Sequence, residues 1–66
     1  MTITNKEREI LMILFNNDVE GFEMLENAFE DNTIQNMLDK ELIEIDYYDY
    51  IHLTSTALEY IMYYIA

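Results

Sequence analysis

Apolar residues recur every three to four positions up to Leu38, and from Leu42 they alternate. Thr4 followed by Glu7 reads as a capping box. Behind it Ile10, Leu11, Ile13, Leu14 and Phe15 keep helical spacing, and Asn16-Asn17-Asp18 is a turn signal that ends this first helix. A second helix is predicted from about Val19 or Glu20 to Phe29, with Phe22, Leu25, Ala28 and Phe29 as its apolar stripe and Gly21 near its start. Asp31-Asn32 marks the next boundary. Asn32 with Gln35 forms a second capping pair before a short helix that turns Ile34, Met37 and Leu38 inward.

The period then changes. Ile43, Ile45 and Tyr47 alternate with Glu44, Asp46 and Tyr48, which predicts a strand with one buried face and places Tyr47 in the core phase. Tyr48-Asp49 is a tight turn, and Tyr50 to Leu53 returns as a second strand. Thr54 or Ser55 caps a last helix with Leu58, Ile61, Met62 and Ile65 as one stripe. The order is helix, helix, helix, hairpin, helix. This predicts an α+β, mainly helical fold in a single domain over 1–66.

A chain of 66 residues buries only about 60% of its unfolded surface. Disulfides, a metal or association usually supplement so small a core. There is no Cys, and His52 is the only His, so disulfides and thiolate or imidazole-rich metal sites are excluded. Association is the remaining expectation. The apolar content, 52%, argues against disorder. No run approaches the roughly 18 apolar residues of a membrane span, and no signal-peptide pattern opens the chain, so a soluble cytoplasmic protein without membrane partners is expected.

The charge changes the picture. Fourteen Asp and Glu stand against three Lys and Arg, a formal net charge of -11. Lys6, Arg8 and Lys40 are the only bases. A duplex binder gains affinity by neutralising phosphates with Lys and Arg, and this chain has few to offer.

The element order and two short motifs resemble winged-helix domains of the MarR and PadR type. Leu38-Asp39-Lys40-Glu41-Leu42-Ile43 is similar to the junction of recognition helix and wing, with Glu41 where the family has Gly. Leu53-Thr54-Ser55-Thr56-Ala57 is similar to the segment after the wing, with Ala57 for Gly. The resemblance implies a winged helix: three helices, a two-stranded hairpin wing and a C-terminal helix. It also implies a third helix that enters the major groove, where this chain offers Thr33, Gln35, Asn36 and Lys40 beside Asp31 and Asp39. The wing, Asp46-Tyr47-Tyr48-Asp49-Tyr50, has no base for a phosphate. Direct nucleic-acid binding is therefore not expected.

Glu23, Glu26 and Glu30 stand at i, i+3 and i+7 and share a helix face with neighbours about 5–6 Å apart. Like charges so placed weaken a helix by about 0.2–0.5 kcal/mol per pair. The bland reading is a solvated face. The sharper one is a row of carboxylates that imitates a phosphate strand and occupies the basic surface of a nucleic-acid-binding protein. Asp46, Tyr48, Asp49 and Tyr50 extend this partner-binding surface into the wing. All six Tyr fall between positions 47 and 64, and Tyr is common at interfaces. Tyr60 and Tyr64 form a second apolar stripe on the last helix, which predicts a homodimer contact.

His52 alternates with Ile51 and Leu53, so it points outward as an incidental surface histidine. No nucleophile elbow, phosphate loop or calcium-loop spacing is present, so neither catalysis nor a cofactor or metal is expected. The expectation is a small acidic inhibitor or antirepressor, similar in size and charge to phage and mobile-element products such as anti-CRISPR proteins. The alternatives are a transcription regulator reading DNA through Gln35, Asn36 and Lys40, and a structural interaction module using the Tyr-rich wing.

Overall fold

A computed structural model describes residues 2–18 and 21–65, the side chain of Phe22 excepted. The expected helix start at Val19 or Glu20 and the inward placement of Phe22 fall outside the described residues. Helix α1 (Asn5–Asn16) opens on the capping box that the sequence predicts. Thr4 Oγ1 accepts from the Glu7 N–H at 3.1 Å, and Glu7 Oε1 accepts from the Thr4 N–H at 2.8 Å. At its end Asn17 takes a left-handed φ of 53°, and the Asp18 N–H reaches back to the Ile13 carbonyl at 3.0 Å. This wrap satisfies carbonyls that the helix end leaves open. Helix α2 (Phe22–Glu30) follows Gly21, where a Cβ would stand 2.8 Å from Ile13 Cγ1. Glycine lets the start of α2 approach α1 without displacing Ile13.

Helix α3 (Thr33–Asp39) starts differently from the sequence expectation. Asn32 is left-handed, at φ 67°, and its side chain caps nothing. Asp31 Oδ1 instead accepts from the N–H and the hydroxyl of Thr33, at 3.0 and 2.6 Å. Gln35 donates forward to Asp39 at 3.1 Å rather than back to the cap. A side chain on a left-handed residue does not lie over the first turn, and the acid one position earlier takes that role.

Strands β1 (Ile43–Ile45) and β2 (Ile51–Leu53) pair antiparallel with Ile43 opposite Leu53, Glu44 opposite His52 and Ile45 opposite Ile51. The connection is a three-residue loop, not the expected two-residue turn. The Asp49 N–H donates to the Asp46 carbonyl, and Asp49 takes φ 65°, the left-handed position of a bulged hairpin. The ladder therefore stops at Ile45. Tyr47, expected in the core phase, is 93% exposed, and β2 begins at Ile51 rather than at Tyr50, which flanks the loop opposite Asp46.

Helix α4 (Ser55–Tyr64) is capped by Thr54, whose Oγ1 accepts from the Ala57 N–H at 3.2 Å. The same hydroxyl donates to the Glu41 carbonyl at 2.5 Å, fixing α4 to the corner between α3 and β1. Of the expected stripe, Ile61 is buried and Ile65 half-buried against the core, whereas Leu58 is 40% and Met62 69% exposed, and Ala57 completes the buried line. The helix is apolar nearly all round, so spacing alone does not choose its inward face; small Ala57 lets it pack closely. Phe15 and Phe29, expected inside, are likewise about half exposed.

The core gathers Ile10 and Leu11 of α1, Ala28 of α2, Ile34 and Met37 of α3, then Leu42, Ile43, Ala57 and Ile61. Burying one such Leu or Ile contributes about 1.5–3 kcal/mol, so a few residues carry the fold. Among the described residues, four helices and a two-stranded antiparallel hairpin form an α+β, mainly helical structure whose element order is compatible with a winged-helix-like layout.

Glu41 closes α3 as Asn17 closes α1. Its φ is 58°, its N–H donates to the Leu38 carbonyl, and the Leu42 N–H reaches the Met37 carbonyl, both at 3.0 Å. A residue with a Cβ pays roughly 1–2 kcal/mol for left-handed backbone. Glu41→Gly is therefore expected to stabilise the fold by about 0.5–1 kcal/mol after glycine's added chain entropy. The measurement is a rise in the urea midpoint at constant slope, and a fall would contradict this account of the corner.

Candidate protein-interaction surfaces

The three bases decide the electrostatics, and two of them, Lys6 and Lys40, are paired with acids. Lys40, at the end of α3, points toward the start of α1. Its Nζ donates to Glu7 Oε1 and Oε2 at 2.7 and 2.9 Å and to the Thr2 carbonyl at 2.9 Å. Glu7 is buried, with 2% of its side chain exposed. Burial alone would raise its pKa, but hydrogen bonds from Lys40 and from the backbone and hydroxyl of Thr4, with the Lys40 charge, bring it below the ordinary carboxylate value. Lys6 pairs with Asp31 on the surface. Arg8 lines an open groove of about 740 Å³ together with Glu9, Asp18 and Glu23.

The acidic row is exposed throughout. Glu23, Glu26 and Glu30 all face solvent on α2, and among the described residues none has an ion pair or hydrogen-bonded side-chain partner. Asp31, next in sequence, is held by Lys6 and by Thr33 and does not extend the row freely. The surface of α3 presents Gln35, Asn36 and Asp39, but Lys40 is turned to Glu7 and Gln35 is held by Asp39. Of the side chains that reading a major groove would require, Gln35 and Lys40 are thus engaged within the protein, while Asn36 stays exposed.

The wing is more ordered than its sequence suggests. Asp46 Oδ1 accepts from the N–H groups of Tyr48 and Tyr50 at 2.8 and 3.0 Å, and Asp46 Oδ2 contacts His52 Nε2 at 2.7 Å. The His52 contact, then the Tyr50 N–H, hold the Asp46 pKa below its ordinary value. His52 is therefore no incidental histidine, and Asp46 is committed to the loop rather than free for a partner. Tyr48, Asp49 and Tyr50 remain exposed beside it, with Tyr47 edge-on to Tyr48 at 5.4 Å between ring centres. The signal for the Asp46–His52 pair is the hairpin register, which sets residue 46 near residue 52 only once the loop length is known.

Nothing matches this chain among protein-family models, curated proteins or solved structures.

On α4, Tyr60 packs half-buried beside Tyr64, their ring centres 5.2 Å apart, while Tyr63 and Tyr64 are 80% and 73% exposed. The acidic row on α2, the Tyr-bearing wing and the outer face of α4 are thus three separate exposed surfaces. Among the described residues no group of three or more His, Asp or Glu is arranged to hold a metal ion, and no helix is long and apolar enough to cross a membrane.

The Glu7–Lys40 pair gives a signed pH prediction. A carboxylate whose folded pKa is lowered contributes stability that is complete above its unfolded value, about 4.5, and is lost as pH falls through the folded value. Lys40→Met leaves Glu7 buried without its cation and is expected to cost about 3 kcal/mol at pH 7. In the variant burial still raises the Glu7 pKa while only the Thr4 hydrogen bonds remain to lower it, so it lies above the wild-type value. The stability gap to the wild type should then narrow as pH falls from 7 through the ordinary carboxylate value of about 4.5, as followed by urea unfolding. A gap that stays constant over that range would show that the pair carries no ionic contribution.

Proposed function

We propose that this protein binds and blocks the basic surface of a nucleic-acid-binding protein through its acidic face. The observation that carries the reading is the row of Glu23, Glu26 and Glu30 on α2, exposed and without ion-pair partners among the described residues, in a chain where Lys6 and Lys40 are paired with other acids. A row of like charges that weakens its own helix has a use when a cationic partner lies against it. The wing residues Tyr48, Asp49 and Tyr50 supply contact area at a second edge, with Asp46 holding their loop. The winged-helix layout, of the kind found in MarR and PadR regulators, then serves as scaffold for a DNA-mimicking inhibitor or antirepressor of phage or mobile-element type rather than as a DNA reader.

Changing Glu23, Glu26 and Glu30 together to Gln is expected to weaken inhibition of the target by about tenfold, because each rim charge contributes only about 0.2–1 kcal/mol. The fold should remain intact. Glu41→Gln with Glu59→Gln removes exposed charge elsewhere and serves as control. The assay is competition with the target's own nucleic acid at two salt concentrations. Equal inhibition by the triple variant and the wild type removes α2 from the interface.

A second reading concerns self-association. The exposed Leu58, Met62, Tyr63 and Tyr64 leave α4 with an apolar outer face, and Tyr60 and Tyr64 are already packed together there. A homodimer would cover it. Tyr64→Glu would set like charges across a two-fold axis and is expected to split the dimer in sedimentation velocity runs. A wild-type chain that stays monomeric at high concentration rejects this reading.

A further inference from the structure

Strand β2 has a partner on one side only. The Asp46 N–H donates to the Tyr50 carbonyl at 3.0 Å and the Thr54 N–H to the Leu42 carbonyl at 3.1 Å. By alternation Glu44 and His52 form the hydrogen-bonded pair between them, while Ile43–Leu53 and Ile45–Ile51 are the non-bonded pairs. The N–H and C=O of Ile51 and Leu53 therefore point away from β1. Among the described residues no hydrogen bond reaches these groups from outside the sheet.

A groove of about 590 Å³ runs along that edge. One wall is Asp49, Tyr50, Ile51, His52 and Leu53; the other is Leu14, Asn17 and Leu25. Successive strand residues point to opposite faces of a sheet, so a groove touching all of them in sequence follows the strand's edge and not one face. Leu14, Leu25, Ile51 and Leu53 are half-buried against the core and give the groove an apolar floor. Its end is held in shape by Asp46, which ties the wing loop to His52.

We propose that this groove takes an extended, cationic segment of the partner protein, which adds to the sheet as a third strand beside β2. The proposal rests on the acidic-inhibitor reading above and gives its partner a conformation. Strand addition draws affinity from main-chain hydrogen bonds and specificity from alternate side chains. Here alternate side chains would enter between Leu14 and Leu25, and the others would project outward. Charge selects the occupant. The net charge of -11 favours Lys or Arg on the incoming strand, and Asp49 meets them at one end of the groove. A segment of about five residues, at about 3.3 Å each, is long enough to engage both Ile51 and Leu53.

The test uses the full chain, isotope-labelled, and a synthetic peptide of about seven alternating Lys and Val residues, a length that exceeds the edge. A second peptide of equal charge carries Pro at its central Val. The Ile51 and Leu53 amides should shift and gain protection from exchange with the first peptide, while those of Ile43 and Ile45 do not. The Pro peptide should bind about tenfold more weakly, the equivalent of one or two lost hydrogen bonds. Ile51→Pro removes an outward donor that β1 does not use, so the hairpin persists and affinity should fall by a similar factor. Equal binding of the two peptides, or shifts confined to the amides of Glu23, Glu26 and Glu30, overturns the strand and leaves the acidic reading standing. The strand is likewise overturned if polylysine shifts the α2 amides and neither peptide protects Ile51. Silence toward polylysine and both peptides removes the two together.

Discussion

The buried contact between Glu7 and Lys40 sets the positions of most other elements. It joins the first turn of α1 to the last residue before the α3 corner, and through the Thr2 carbonyl it also anchors the segment ahead of α1. Lys40 leads directly into left-handed Glu41, which sends Leu42 into the core and offers its carbonyl to Thr54. Thr54 in turn starts α4. One ion pair thus stands at the head of a sequence of caps that orients helix, strand and helix. Such a pair contributes less net stability than its Coulomb attraction suggests, because both ions lose water. What it fixes is which arrangement the small apolar core adopts.

Local signals in the chain hold where the decisive partner lies within four residues. The Thr4–Glu7 box, the Asn17 turn, the Thr54 cap and the period change after Leu42 are all of this kind, and they suffice for element order and class. Asn32 and Gln35 have the right types and spacing, yet a left-handed Asn32 and the neighbouring Asp31 override them. The inward face of α4 is illegible because almost every face is apolar. Tyr47 leaves the strand phase because Asp46 turns the chain one residue earlier than the alternation implies.

Of the candidate surface, the α2 row is fully legible, since spacing alone places Glu23, Glu26 and Glu30 on one side of a helix. The fate of the bases is not. Lys40 reads as an exposed side chain at the end of a recognition helix, and its partner is 33 residues away in sequence. Glu7 reads as a surface cap, but it serves the cap and the ion pair together. His52 and Asp46 are six residues apart and meet only because the loop between them has one particular length. Long-range pairings of this sort depend on tertiary geometry that periodicity does not encode.

Turning cations toward internal partners has a kinetic consequence. Seen from beyond a Debye length of about 8 Å, what an approaching cationic surface meets is mainly the net charge of -11. Attraction of that kind accelerates encounter from every direction, and it fades with added salt. It does not choose between one cationic surface and another. Discrimination must come after contact, from short-range shape and hydrogen bonding, so differences between partners should lie in how long complexes last rather than in how fast they form.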